Sequence, residues 1–177
     1  MATTHWATDG TLGVDLENIV SSANRASGVP ANASLGSVVK GNNDSEWVYV
    51  YASAAITQYA LVGIQASGTA SMMTSAKARS TVPSKLGIAQ VAFTAAGDTG
   101  WVAVEGGVLT VLTTAATTAG NRLYTTDTAG RVSGTIATAS TVEVVGLIHS
   151  VTTGATASSA PCVAKNLVKG RPELLVT

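Results

Sequence analysis

The segment Glu46-Trp47-Val48-Tyr49-Val50-Tyr51 decides how this chain is read. Its side chains alternate, with Trp47, Tyr49 and Tyr51 on one side and Val48 and Val50 on the other. That is the period of a strand and not of a helix. A second block echoes the first: Asp44-Ser45-Glu46-Trp47-Val48-Tyr49-Val50 resembles Asp98-Thr99-Gly100-Trp101-Val102-Ala103-Val104. In each, an Asp stands where a carboxylate satisfies turn amides, and a Trp opens the strand as a large apolar anchor. Two related hairpins facing each other make a pseudo-symmetric sheet core; convergence of two hairpins on favoured residues gives the same pattern.

Outward from this pair, Ile56 to Ile64 contains another apolar stretch, and Leu86 to Phe93, Gly100 to Glu105, Val108 to Leu112, Arg122 to Thr126 and Val142 to His149 read as short strands. Turn signals separate them: Gly41-Asn42-Asn43-Asp44, Ala96-Gly97-Asp98, Glu105-Gly106-Gly107 and Asp127-Thr128-Ala129-Gly130. Short strands at regular spacing predict an all-β fold, mainly an antiparallel sandwich or barrel. Residues Val14 to Ala26 predict a helix, with Leu16, Ile19, Val20 and Ala23 on one side and Asp15 and Glu17 early, near the positive helix end. Ala70 to Ala78 is read as a short helix or a loop. The expected organisation is an N-terminal arm over 1–34 containing the helix, a β-rich core over 35–165 and a C-terminal tail over 166–177. Both ends are read as extended arms that order on a neighbour.

Composition bounds the function. Of 177 residues, 11% are charged and 46% hydrophobic, most of the latter being Ala and Val among Thr, Ser and Gly. A soluble domain ordinarily carries about a quarter charged residues. A surface of small, weakly polar side chains costs little to desolvate and little entropy to order, which suits a chain packed against copies of itself or a larger assembly. A net charge of +0 offers no positive field for nucleic acid and favours self-association. No apolar run approaches the length of a membrane span. Met1 to Asp9 lacks the basic and apolar regions of a signal peptide.

Chemistry-bearing residues are sparse. His5 and His149 are the two histidines, and Cys162 is the single cysteine. His149 closes an apolar strand and reads as a rim or satisfied core imidazole. A Ser-His-Asp site predicts a pocket around it with a carboxylate and a serine. Cys162 reads as a small buried hydrophobe. Asn42-Asn43-Asp44 with Glu46 offers oxygen ligands of the kind calcium takes, but reads first as a solvated turn. No phosphate-loop, dinucleotide or nucleophile-elbow motif is present, so no catalytic, cofactor or metal residue is assigned. Trp47 and Trp101 read as core or intersheet packing; exposed, they would stack on sugars. Trp6, Leu12 and Leu16 are assigned to one docking arm and Leu174, Leu175 and Val176 to the other, as apolar residues in loosely patterned termini.

The phrases Leu86-Gly87-Ile88-Ala89-Gln90-Val91-Ala92-Phe93, Gly100-Trp101-Val102-Ala103-Val104, Gly106-Gly107, Ala119-Gly120-Asn121-Arg122-Leu123-Tyr124-Thr125-Thr126, Ala129-Gly130 and Val144-Val145-Gly146-Leu147-Ile148 resemble the decoration, or cement, proteins of tailed-bacteriophage heads. The resemblance covers about Leu35 to Ala164. It implies a β-rich structural protein without enzymatic activity or cofactor. Such a protein is made in the host cytoplasm and carried on the outer capsid surface. Its partners are the major capsid protein and itself, as a homo-oligomer of open number in which the family favours a homotrimer at local three-fold positions. It binds after capsid maturation and strengthens the shell. The alternative is a phage adhesin, a glycan-binding module of the virion surface. On the first reading, removal of residues 1–12 abolishes loading onto purified heads and leaves the circular dichroism spectrum unchanged; unaltered head occupancy refutes the N-terminal assignment.

Overall fold

A computed structural model describes residues 14–28, 30–80, 83–114, 117–136, 141–153 and 159–172. The chain is mainly β, with two short helices among the described residues. In order it forms α1 (Ser22–Ala26), β1 (Val38–Gly41), β2 (Ser45–Ala52), β3 (Leu61–Ile64), β4 (Thr69–Met72), α2 (Ser75–Ser80), β5 (Lys85–Ile88), β6 (Thr99–Leu112), β7 (Arg122–Thr125), β8 (Val132–Ser133), β9 (Val142–His149) and β10 (Ser159–Pro172). Strands β2, β4, β3, β5 and β6 close on one another as a five-stranded ring, in which only the β2–β4 contact is parallel. The second half of β6 leaves the ring and carries an antiparallel outer sheet in the order β6-β10-β9-β7-β8.

The two echoing segments pair directly with each other. Trp47 faces Ala103, Val48 faces Val102 and Tyr49 faces Trp101. Exchanging the two strands maps this register onto itself, so the Val48–Val102 pair lies on a local pseudo-two-fold axis. Alternation then sorts the side chains into two cores. Trp47, Tyr49, Trp101 and Ala103 enter the larger cluster, between the ring and the outer sheet. Val48, Val50, Val102 and Val104 enter the smaller one, which also takes Val62, Ile64 and Ala70 and fills the ring. A five-stranded ring is narrow, and it is filled by Val, Ile and Ala. At Gly87 a Cβ would lie 2.5 Å from Val102 Cγ1, so that position admits no side chain. Ile56 and Phe93 close one end of the ring, each donating its amide to the other's carbonyl at 2.8 and 2.9 Å.

Of the two echoing aspartates, one has the expected role. Asp98 is fully buried, and its carboxylate accepts from the amides of Ser22, Thr94 and Ala95 at 2.8, 2.7 and 2.9 Å and from the Thr94 hydroxyl at 3.0 Å. Burial acts to raise its pKa, but these hydrogen bonds outweigh it and hold the carboxyl below its ordinary range. Asp44 is exposed; it and Asn43 adopt left-handed φ of 53° and 56° in the β1–β2 turn, the geometry that twisted hairpins favour.

Several expectations are corrected. Val14 to Ala26 is helical only from Ser22. Asp15 accepts the Glu17 amide in a local turn, and Val20 exchanges two backbone hydrogen bonds with Thr99, which draws the segment out along β6. Ala70 to Ala78 is divided between β4 and α2. Glu105-Gly106-Gly107 does not turn. Gly106 is the point where β6 crosses from ring to outer sheet, and a Cβ there would lie 3.2 Å from Ser45 Cβ. The tail boundary at 166 falls inside β10, which stays paired with β9 to Pro172. Among the described residues no helix is long and apolar enough to cross a membrane.

Asp98→Ala leaves at least three amides without their acceptor and is expected to cost about 3 kcal/mol or more. Asp98→Asn, which keeps one acceptor oxygen, costs less. Urea denaturation of the two variants checks the order.

Candidate interaction surface

The outer sheet has one face on the larger core and one open face. Inward point Leu109 and Val111 of β6, Ala160, Cys162 and Ala164 of β10, Val142, Val144 and Leu147 of β9, and Leu123 of β7. The open face carries an apolar row across three neighbouring strands. Val108 of β6 is 46% exposed, Val163 of β10 is half-buried, and Val145 and Ile148 of β9 are 40% and 53% exposed. Ile148 lies directly opposite Val163, and Val163 falls where β6 bulges past β10 at Gly107 and Val108.

Gly146 builds this row. In an unbroken strand Val145 and Leu147 would share a side and Ile148 would point inward. Gly146 takes a φ of 88°, open to glycine at no steric cost, and the pairing of β9 shifts on both sides of it. The extra residue puts Val144 and Leu147 inside and Val145 and Ile148 outside. On the same face Arg122, opposite Ile148, approaches Glu143 at 3.5 Å. Both ends of this pair reach water, so it stabilises the fold little.

A second concave feature lies at the end of the ring away from Ile56 and Phe93. A groove of about 220 Å³ has Val48 and Ile64 as its floor and Val38, Gln65, Ser84 and Lys85 around it. Beside it Glu46 meets Lys40 Nζ at 2.7 Å and Lys85 Nζ at 3.5 Å. The Lys40 hydrogen bond is the main cause holding the Glu46 carboxyl below its ordinary range. Glu46 is therefore committed to two lysines. Among the described residues no group of three or more His, Cys, Asp or Glu could hold a metal ion.

Leu16, expected in a docking arm, is fully buried in the larger core beside β1; its side chain would lie 3.0 Å from a Cβ at Gly41. It is held by the chain's own interior. Trp6, Leu12, Leu174, Leu175 and Val176 lie outside the described residues. Trp47 and Trp101 are buried, so neither offers a ring to a sugar. Trp47 Nε1 donates to Ser45 Oγ at 2.8 Å, while Trp101 packs edge-on against Tyr49, with ring centroids 5.0 Å apart.

Cys162 is buried as expected, and burial pushes its thiol up to about 12, far from a nucleophile's range. His149 is buried too, but it is not a satisfied core residue. Neither ring nitrogen has a hydrogen-bond partner, so no carboxylate or serine engages it. Burial lowers its pKa; the Val151 backbone acts the other way without reaching hydrogen-bond geometry.

Val108, Val145 and Ile148 were not singled out from the sequence. For Val145 and Ile148 the signal is the five-residue run Val144-Val145-Gly146-Leu147-Ile148, too uniformly apolar for a strand with one wet face. Compared with known protein families and with curated proteins, the chain matches none.

With its folded pKa below the ordinary 6.5, His149 takes up a proton more readily in the unfolded chain. Its contribution to stability is complete above about pH 6.5 and is lost as pH falls below that value. Asp98 and Glu46 titrate lower still, below 3.8 and 4.5, which isolates the window above pH 5. His149→Leu removes two unpartnered nitrogens. It is expected to match or exceed the parent melting temperature at pH 7.5 and to flatten its decline between pH 6.5 and 5, as followed by calorimetry.

Proposed function

We propose that this chain is a non-enzymatic structural protein of a tailed-phage virion, a decoration protein that coats the outer surface of the head and bridges its subunits. The observation that carries this reading is the open apolar row of Val108, Val163, Ile148 and Val145 on a sheet otherwise closed by its own core. The resemblance of the strand phrases between Leu35 and Ala164 to decoration proteins supports it. So does a chain only 11% charged, with net charge +0.

The mechanism is passive. Apolar area removed from water contributes roughly 25 cal/mol per Å², less the cost of immobilising the partners. A small contact repeated over a closed lattice becomes strong through avidity. In this reading the outer face meets the major capsid protein or the neighbouring copy of a trimer, and the ring holds that face rigid from behind. The adhesin reading loses the two tryptophans on which it leaned.

Ile148→Lys together with Val145→Lys places two charges on the open face and none in the core. Stability is expected to change by less than about 1 kcal/mol. Loading onto undecorated heads, scored by sedimentation, and the self-associated mass from light scattering are expected to fall at least tenfold in affinity. Parent-like values for both would remove the face from the proposal.

A further inference from the structure

His149 and Cys162 are cross-strand partners in the β9–β10 ladder. Both are 1% exposed and both point to the core side of the sheet. The adjacent Ser150 amide donates to the Pro161 carbonyl at 3.1 Å, so the hydrogen-bonded pair is the next one along. His149 and Cys162 therefore form a non-hydrogen-bonded pair, in which facing side chains come closest. Neither imidazole nitrogen hydrogen-bonds to the sulfur or to anything else. A buried imidazole without a hydrogen-bond partner, eased only by the nearby Val151 backbone, costs desolvation beside a buried thiol with little return inside the protein.

We propose that His149 and Cys162 are a two-ligand site for a soft monovalent cation of the copper(I) class. Thiolate and imidazole are ligands such an ion accepts, and a thiolate selects it over hard cations. Bond lengths of the kind seen at zinc, about 2.0–2.1 Å to nitrogen and 2.3 Å to sulfur, give a two-coordinate ion a span of roughly 4.4 Å. Facing cross-strand Cβ atoms stand about 4.5–5.5 Å apart, which puts the two side chains within reach of one ion. Zinc is disfavoured, because its structural sites take four ligands and no group of three gathers among the described residues. On binding, the Cys162 thiol releases its proton to solvent, a sulfur–metal bond forms, and an imidazole lone pair makes the second bond; no electron is transferred. Pro161 has no amide hydrogen to return the Ser150 bond, which leaves the ladder one bond short beside the pair. Once seated, the ion staples β9 to β10.

Copper(I), added anaerobically to the full chain against a competing chelator, is the test. One equivalent is expected to bind, to raise the melting temperature by several degrees and to shift the His149 ring resonances. Cys162→Ser abolishes binding, and His149→Leu weakens it at least tenfold while circular dichroism stays unchanged. Absence of binding, unshifted His149 resonances in the parent protein, or parent-like affinity in His149→Leu each overturns the site.

Discussion

Strand β2 and the first half of β6 are paired with each other and buried on both faces, and the remainder of the molecule is arranged around that fact. A strand buried on one side already resists a slip of one residue, which would turn its apolar set to solvent. One with Trp47 and Tyr49 in one core and Val48 and Val50 in another resists it twice over, because the same shift sends an indole and a phenol into a ring that holds Val and Ala. The partner imposes the same condition through Trp101 and Val102. The pseudo-two-fold register satisfies both strands together: each tryptophan lies across from the smaller or thinner residue two places along the other strand. From this pair the ring closes on one side, and the longer arm of β6 founds the outer sheet on the other.

The links between layers are polar and local. Tyr49 reaches through the core to donate to Thr99 Oγ1 at 2.9 Å and accepts the Asn32 amide at 3.1 Å, which ties the stretch before β1 to the start of β6. Asp98 binds Ser22, and Arg25 donates to the Gly97 carbonyl at 3.1 Å while lying over the Tyr51 ring at 5.6 Å. The segment from 14 to 27 is thus strapped across one edge of the β2–β6 pair rather than left as an arm. Gln90 extends the same economy: its side-chain amide exchanges hydrogen bonds with the backbone of Thr110 at 3.0 and 3.1 Å and stands in for a strand that β5 no longer provides.

How much of this could be read in advance depended on whether local pattern or distant partner set the outcome. The β2 and β6 strands were legible because alternation is a local property, and the Trp echo pointed to their relation, although not to their pairing with each other. The helix over Val14 to Ala26 was misread because Leu16, Ile19 and Val20 do have helical spacing; the competing backbone bonds come from Thr99, far along the chain. Gly106-Gly107 carries the composition of a turn, yet serves as a crossing point, because what matters there is the Ser45 side chain pressed against it. β10 was missed for a similar reason. Its pairing with β9 shifts twice, so no single period runs through Asn166 to Pro172. The open apolar row was invisible for want of the Gly146 bulge, since plain alternation assigns Ile148 to the core.

The division between ring and outer sheet bears on what a surface poor in charge can afford to do. An apolar open face on a soluble protein is a hazard if it can deform, because a flexible sheet exposes edges as well as faces and pairs indiscriminately. Here the face is backed by a core that includes Leu109, Val111, Cys162 and Leu147, and its last strand returns to β6 through a bridge between Thr113 and Val132. Arg131 donates to the Thr113 carbonyl at 2.6 Å beside that bridge. The sheet is therefore nearly closed on itself, and little free edge is offered at that side. Rigidity reduces the entropy lost on association, and near closure favours contact by face over contact by edge. On the function proposed above, the two together would let an otherwise sticky row of Val and Ile select its partner by shape.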